Sequence, residues 1–412
     1  MPLIQNDAVA LGVLFVILGA VFTTSSSAHP FWRRFYGVVP SILVCYFVPG
    51  LLGTLGVLDA EGSQLYPMAS RYLLPASLVL FTLAMDVPAI LRLGPKAVAV
   101  FLAGTAGVIV GGPLAILTVS AINPALVGGT GPDAVWRGLA TIAGSWIGGG
   151  ANQAAMKEVF GASDSLFAAC VAVDVLVGNL WTGFLLFGAA KSARIDRRIG
   201  ADTSAIRELR HRVETFQQQH SRIPSMRDIM QILAIGFGCT AVGHAVAGFL
   251  GPWFERNFPA TAPFSLTSSF FWLVVIVTFL GIGASFTRLR ELEGAGASKI
   301  ASLLLYVLIA AIGMRMDLRA LFEQSGLFLV GLLWILFHIA ITLTVGYLLK
   351  APFFFVAVGS QANIGGAASA PVVAAAVDPA LAPAGVLLAV LGYAVGTYGA
   401  WLSALLMQQV AP

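Results

Sequence analysis

Two short runs in this chain combine glycines with amide and hydroxyl side chains: Gly144-Ser-Trp-Ile-Gly-Gly-Gly-Ala-Asn152 and Gly359-Ser-Gln-Ala-Asn-Ile-Gly-Gly-Ala-Ala-Ser369. Each interrupts an apolar segment. A glycine break ends one helix and lets another begin, which leaves backbone N–H and C=O groups without intrahelical partners. The N-terminus of a restarted helix suits an anion, and the carbonyls that end the preceding one suit a small cation. Restarts are expected at Asn152-Gln-Ala-Ala-Met156 and at Ser369-Ala-Pro-Val-Val373, where Ser369 would cap and Pro371 would come early in the helix. The preceding half-helices are expected to end near Gly144-Ser145 and Gly359-Ser360. The candidate substrate-binding residues are Ser145, Gly148, Gly149, Asn152 and Gln153 in the first run, and Ser360, Gln361, Asn363, Gly365, Gly366 and Ser369 in the second. Paired breaks at matching places in two halves point to a ligand site; a single one would point to close helix packing.

Asp174 lies in Val171-Ala-Val-Asp-Val-Leu-Val177 with no basic neighbour in sequence. A carboxylate in such a segment is costly and marks an ion or proton site. Asn179 and Thr397 occupy matching positions, Gly178-Asn179 and Gly396-Thr397, and join Asp174 as candidate ion-coupling residues. Asp86 and Asp317 fall near the ends of apolar runs, where capping explains them. His244 and His338 are lone histidines in apolar runs and read as packing residues. Ser285 and His338 have the residue types of an intramembrane serine protease dyad, but no oxyanion-hole signature accompanies them, and Ser285 reads as a helix-end residue. Cys45, Cys170 and Cys239 show neither disulfide nor metal-ligand spacing. No phosphate-binding Gly-x-x-x-x-Gly-Lys-Ser/Thr run is present. The reading is therefore not of an enzyme, with no cofactor and no metal beyond a sodium ion.

The elements that must position these groups are membrane spans. Hydrophobic residues form 58% of the 412, charged residues only 10%, and mean hydropathy is +0.89, whereas soluble domains are about 25% charged. Runs of the length that crosses a bilayer lie near 8–27, 37–57, 72–91, 97–121, 166–190, 228–250, 269–288, 301–319, 327–349 and 384–407. The glycine-rich segments 138–160 and 352–377 are the ambiguous ones. The first run has no Lys or Arg ahead of it and reads as a helix, not a cleaved signal. Nine of 23 basic residues sit in the linker Lys191–Arg227. That is a topology signal and not a nucleic-acid patch. Within it, Ala205–Phe216 has helical spacing and reads as a surface helix.

The chain divides into a first repeat at 1–190, a cytoplasmic basic linker at 191–227 and a second repeat at 228–412. Leu80–Leu91 aligns with Ala311–Phe322 about a shared Met-Asp at an offset of 231. If the glycine segments enter and leave on one side and the N-terminus is outside, 17 of 23 basic residues are cytoplasmic; if both cross fully with the N-terminus inside, the split is 15 to 8. The positive-inside rule favours hairpins. Hairpins leave five crossings per half, an odd number, so the second half is inverted. The expected fold is an all-α polytopic membrane protein of two inverted-topology repeats, each of about five transmembrane helices and one glycine-rich re-entrant hairpin or broken helix.

Gly144–Asn152, Asp164-Ser-Leu-Phe167 and Val173-Asp-Val-Leu-Val-Gly178 resemble the bacterial and plant membrane family of unknown function numbered 819, also called YjcL-like, and the likeness runs over most of the chain. The resemblance implies membership of the cation:proton antiporter and anion transporter superfamily. The breaks are also similar to the Gly-Gly-x-Gly hairpins of sodium:citrate and sodium:glutamate symporters, although here they read Gly148-Gly-Gly-Ala151 and Gly365-Gly-Ala-Ala368. By this likeness the chain is expected to be a secondary active transporter in the bacterial cytoplasmic (inner) membrane, a sodium- or proton-coupled carrier of a small organic anion or amino acid. Its partners would be the lipid bilayer and a second copy as a homodimer, with no nucleic acid. A channel lined by the two loops is the alternative, and an intramembrane serine protease a remote one.

Overall fold

A chain this apolar must satisfy its backbone polar groups internally, and the helix does so within one segment. The computed structural model describes residues 2–37, 39–86, 90, 93–203, 206, 223–316, 326–378 and 381–412. Among them the regular elements are helical, apart from a single parallel bridge between Ile4 and Leu58. In the first half these are α1 (Asp7–Ser25), α2 (Pro30–Tyr36), α3 (Ser41–Thr54), α4 (Leu65–Met68), α5 (Leu74–Leu83), α6 (Pro95–Ser120), α7 (Val135–Phe160) and α8 (Asp164–Ala189). The linker contributes α9 (Ser192–Ile199). The second half contains α10 (Met226–Asn257), α11 (Ser269–Ser285), α12 (Ala297–Arg315), α13 (Gly326–Leu348), α14 (Phe353–Ile364), α15 (Gly366–Val377) and α16 (Ala382–Val410). Apart from Ile206, the surface helix expected at Ala205–Phe216 lies outside the described residues, as does Asp317.

Seven of the described helices are long and apolar enough to cross a membrane, or up to nine if each of two bent pairs is one span. The runs expected at 37–57, 72–91 and 269–288 are shorter than predicted. α3 has 14 residues with Pro49 inside, α5 has 10, and α11 has 17. α5 is preceded by a π-helical turn, Ala69–Leu73. Proline explains the irregularity, because Pro75 has no N–H to return to the Arg71 carbonyl four residues back. That carbonyl accepts instead from Nε2 of His244 on α10, at 2.8 Å. His244 thus does more than pack.

The helices assort into two packed groups. α6 lies along α13 and α16 along α7, with α14 and α15 against α6 and α16. In the other group α3 packs on α12, α5 on α11 and on α12, and α10 on α11. Glycine permits the tightest of these crossings: a Cβ on Gly53 would overlap Met314 O, and one on Gly313 would overlap Tyr46 O, so α3 and α12 meet backbone to backbone. Asp86, expected to cap, pairs with Arg290 at 3.1 Å and ties the end of α5 to the turn after α11.

Candidate functional site

α7 reverses on itself. A continuous helix of 26 residues would hold its ends about 39 Å apart. Instead Ser163 N–H donates to Pro132 O at 2.9 Å, the Trp136 and Phe160 rings lie 5.7 Å apart, and Arg137 donates to the Phe160 carbonyl. The reversal is made at Gly149, whose φ of 72° and ψ of −176° belong to a region essentially reserved for glycine. Gly144 and Gly148 serve close approach: a Cβ on Gly144 would meet Asn152 O in the opposite arm, and one on Gly148 would press on the Gly396 backbone of α16. The first arm therefore runs to the Gly148–Gly149 step, past the expected end near Gly144-Ser145.

α14 and α15 form the second bend, at Gly365–Gly366, where Gly366 has φ +56°. Gln361 Nε2 reaches across it to Ser369 Oγ at 2.6 Å. Ser369 is not the cap expected from the sequence. It lies inside α15, which begins at Gly366 because the turn itself starts the helix. The two bends meet: a Cβ on Gly366 would lie 3.9 Å from Gly149 Cα.

Each bend is held by a different set of polar groups. Asp174, on α8, accepts from Ser145 Oγ (2.7 Å), Trp146 Nε1 (2.7 Å) and Gln153 Nε2 (3.0 Å). Both arms of the first bend are thus tied to one carboxylate. In the second, Ser360 Oγ accepts from Trp181 Nε1 (2.8 Å) and lies 2.8 Å from Nε2 of His338 on α13. Nδ1 of the same ring is 2.9 Å from Gly104 O. A carbonyl can only accept, so Nδ1 carries hydrogen, and in a neutral ring Nε2 accepts from the Ser360 hydroxyl.

The two asparagines form matching clips. Asn152 Nδ2 donates to Gly148 O and to Tyr393 O, while its Oδ1 accepts from Thr397 Oγ1 at 2.6 Å. Asn363 Nδ2 donates to Gly359 O and to Phe101 O, and its Oδ1 accepts from Thr105 Oγ1 at 2.8 Å. In each clip the neighbouring helix supplies a carbonyl and, four residues on, a threonine. Each amide gives both its N–H groups to protein carbonyls and accepts one hydroxyl.

The structure thus brings Ser145, Gly148, Gly149, Asn152, Gln153 and Asp174 together at the first bend, and Ser360, Gln361, Asn363, Gly365, Gly366 and Ser369 at the second. Thr397 joins the first group and touches Thr278 of α11 at 3.3 Å. Asn179 is not brought to either; it is on the exposed face of α8. Ser285 bonds to Ile282 O at 2.6 Å and does not pair with His338. Sequence reasoning missed Trp146, Thr105, Trp181, Thr182 and the hydrogen-bonding role of His338. For His338 the signal was present, since an ionisable ring in a run this apolar needs polar partners.

At the mouth of the first bend lies a charged cluster around a cavity of about 250 Å³. Lys157 Nζ is 2.7 Å from Asp164 and 2.8 Å from Tyr66 Oη, and Arg315 of α12 meets the other Asp164 oxygen at 3.0 Å. Every charge there has a partner, so the cluster reads as a tie between α7, α8, α4 and α12. No group of three or more His, Cys, Asp or Glu able to hold a metal occurs among the described residues.

A family of proteins of unknown function, DUF819, matches residues 12–410. An uncharacterised membrane protein, YjcL of Bacillus subtilis strain 168, is 24% identical over 370 residues, covering 85% of this chain and 87% of YjcL.

Proposed function

The chain belongs to the DUF819 family and is an integral membrane protein, and from that premise we propose that it is a secondary active transporter. The cargo is a small organic anion or amino acid, coupled to sodium or protons. One observation carries the reading: two glycine bends from opposite halves of the chain meet with Gly366 and Gly149 in contact distance. Irregular backbone at membrane depth is tolerated where protein encloses it or water reaches it, and carriers place such breaks at their ligand sites.

The packing order is the one inverted repeats would give, and it supports the same reading. With the short α2 and α4 left out of the count, the third helix of each half packs on the second of the other, α5 on α11 and α12 on α3, while the fourth helices, α6 and α13, pack on each other. Such reciprocal exchange is what a pseudo-two-fold axis produces. Both bends are then re-entrant, opening to opposite sides, and alternating access is a movement of the bend-bearing group against the other. On this reading the protein works in the bacterial cytoplasmic membrane as a homodimer.

Two experiments test it. In Thr130→Cys and Ser165→Cys variants, an impermeant thiol reagent applied from outside should label both positions; labelling of position 165 alone means that α7 crosses. A thermal-shift screen of purified protein against organic anions and amino acids, each in sodium and in potassium, should give a cation-dependent rise with one compound, because a ligand of the native state stabilises it. Uptake of that compound into proteoliposomes that saturates and needs the cation completes the case; ohmic current in its place identifies a channel.

A further inference from the structure

The linker helix α9 is short, but its sides are sharply divided. Arg194, Arg197 and Arg198 stand three and four residues apart and so share one side, and Lys191 at the N-cap falls on that side too. All four are exposed, and none has a salt-bridge partner among the described residues. Asp196, the one carboxylate of α9, is buried on the opposite side, where its Oδ1 accepts the Phe353 N–H at 2.7 Å. Pro352, at the N-cap of α14, has no side chain that can cap, so Asp196 caps that helix from outside. Ile195 and Ile199 are partly buried with it. The acidic and apolar side of α9 is thus docked, and the basic side is left facing outward without compensating charge.

The place of this basic side narrows its partner. Only Ala190 and Lys191 separate α9 from the apolar helix α8, whose last turns expose Leu180, Phe184 and Phe187 in one stripe. In a chain this apolar, such a stripe faces acyl chains. Lys191 continues it, with Nζ 3.8 Å from the centre of the Phe187 ring, its stem following the apolar surface and its ammonium group at the polar end. The apolar stripe therefore runs directly into the basic face. An acidic protein would use the charges without the stripe, whereas a phospholipid uses both. A topology signal accounts for the number of basic residues but not for their alignment on one side of a helix.

We propose that Lys191, Arg194, Arg197 and Arg198 bind the phosphate head group of an anionic phospholipid whose acyl chains lie along Leu180, Phe184 and Phe187. Clusters of four or more basic residues directly after a membrane helix attract acidic lipids in this way. The site requires that the chain lie in a bilayer and is independent of the carrier reading.

The test is the melting temperature of the purified full-length protein in neutral detergent, titrated with dioleoyl phosphatidylglycerol or with dioleoyl phosphatidylcholine. Wild type should show a saturable rise with the anionic lipid that the zwitterionic lipid does not give, and the rise should weaken at high salt. The triple variant Arg194→Gln, Arg197→Gln, Arg198→Gln should need at least tenfold more phosphatidylglycerol for half the rise. Because these side chains are exposed and unpaired, its melting temperature without lipid should stay within a few degrees of wild type. A second triple variant, Arg227→Gln, Arg288→Gln, Lys299→Gln, removes as much exposed charge elsewhere and should respond like wild type. If the α9 variant is too unstable to compare, Arg197→Gln alone should raise the half-point several-fold. A wild type that treats the two lipids alike overturns the site, as does an α9 variant with the full response or a second variant that loses as much as the first. Glycerol 3-phosphate that reproduces the whole rise makes the ligand a soluble phosphate and overturns the lipid assignment.

Discussion

The two glycine bends reverse the chain alike but are secured by opposite chemistry. The first is braced by a charge: Asp174 receives donors from residues 145 and 146 in one arm and from 153 in the other. The second is braced by neutral groups, with Ser360 tied to neighbouring helices through His338 and Trp181 and the two arms joined by the Gln361–Ser369 bond. Charge-assisted bonds are roughly twice as strong as neutral ones. The difference teaches that two chain reversals in one molecule can be secured with unequal strength. The first bend is thereby expected to open less readily than the second.

The comparison can be broken most forcefully at Asp174. Asp174→Leu strands three buried donors, each worth about 1–3 kcal/mol, so thermal unfolding in detergent should show a loss of at least about 3 kcal/mol. Ser360→Ala should lose only about 1–2 kcal/mol by the same measure, and equal losses would end the distinction. The turns themselves come next. Gly149→Ala puts a side chain into a glycine-only conformation and against the Tyr393 ring, so it should destabilise by about 2–3 kcal/mol, whereas Gly366→Ala, with open contact at 3.9 Å, should cost about 1 kcal/mol. Sharper still is hydrogen exchange, in which amides of α14 and α15 should exchange faster than those of α7, by about tenfold for each 1.4 kcal/mol of difference in opening free energy. The asparagine clips are the control, because Asn152→Ala and Asn363→Ala should lose similar amounts, about 2 kcal/mol each. The smallest effect is expected at Ser285→Ala, within about 0.5 kcal/mol of wild type and without loss of transport.

Much of this was legible in the residues. Composition and run length suffice for an all-helical membrane chain, and the glycine runs mark both bends. What the runs alone could not reveal was which glycine turns. Gly144, Gly148 and Gly149 look interchangeable in sequence, yet two are needed for contact with Asn152 and Gly396 and only Gly149 takes a positive φ. The cap assigned to Ser369 failed because local preference was overridden by the turn at Gly365–Gly366 and by the reach of Gln361. The partners of Asn363 lie more than 250 residues away, at Phe101 and Thr105, and no local pattern announces them. Asn179 shared a motif position with Thr397 but not its helix face, since α8 turns it outward.

Pro75 and His244 carry a consequence for heredity as well as structure. The imidazole stands in for a backbone donor that proline lacks, so neither residue is free to change alone. Replacing His244 with leucine should harm the chain only while Pro75 is present. In a Pro75→Ala background the peptide N–H returns, the same replacement becomes nearly silent, and a double-mutant cycle should register their interdependence. Descendants of this chain that have lost the proline are therefore expected to have drifted at position 244 as well.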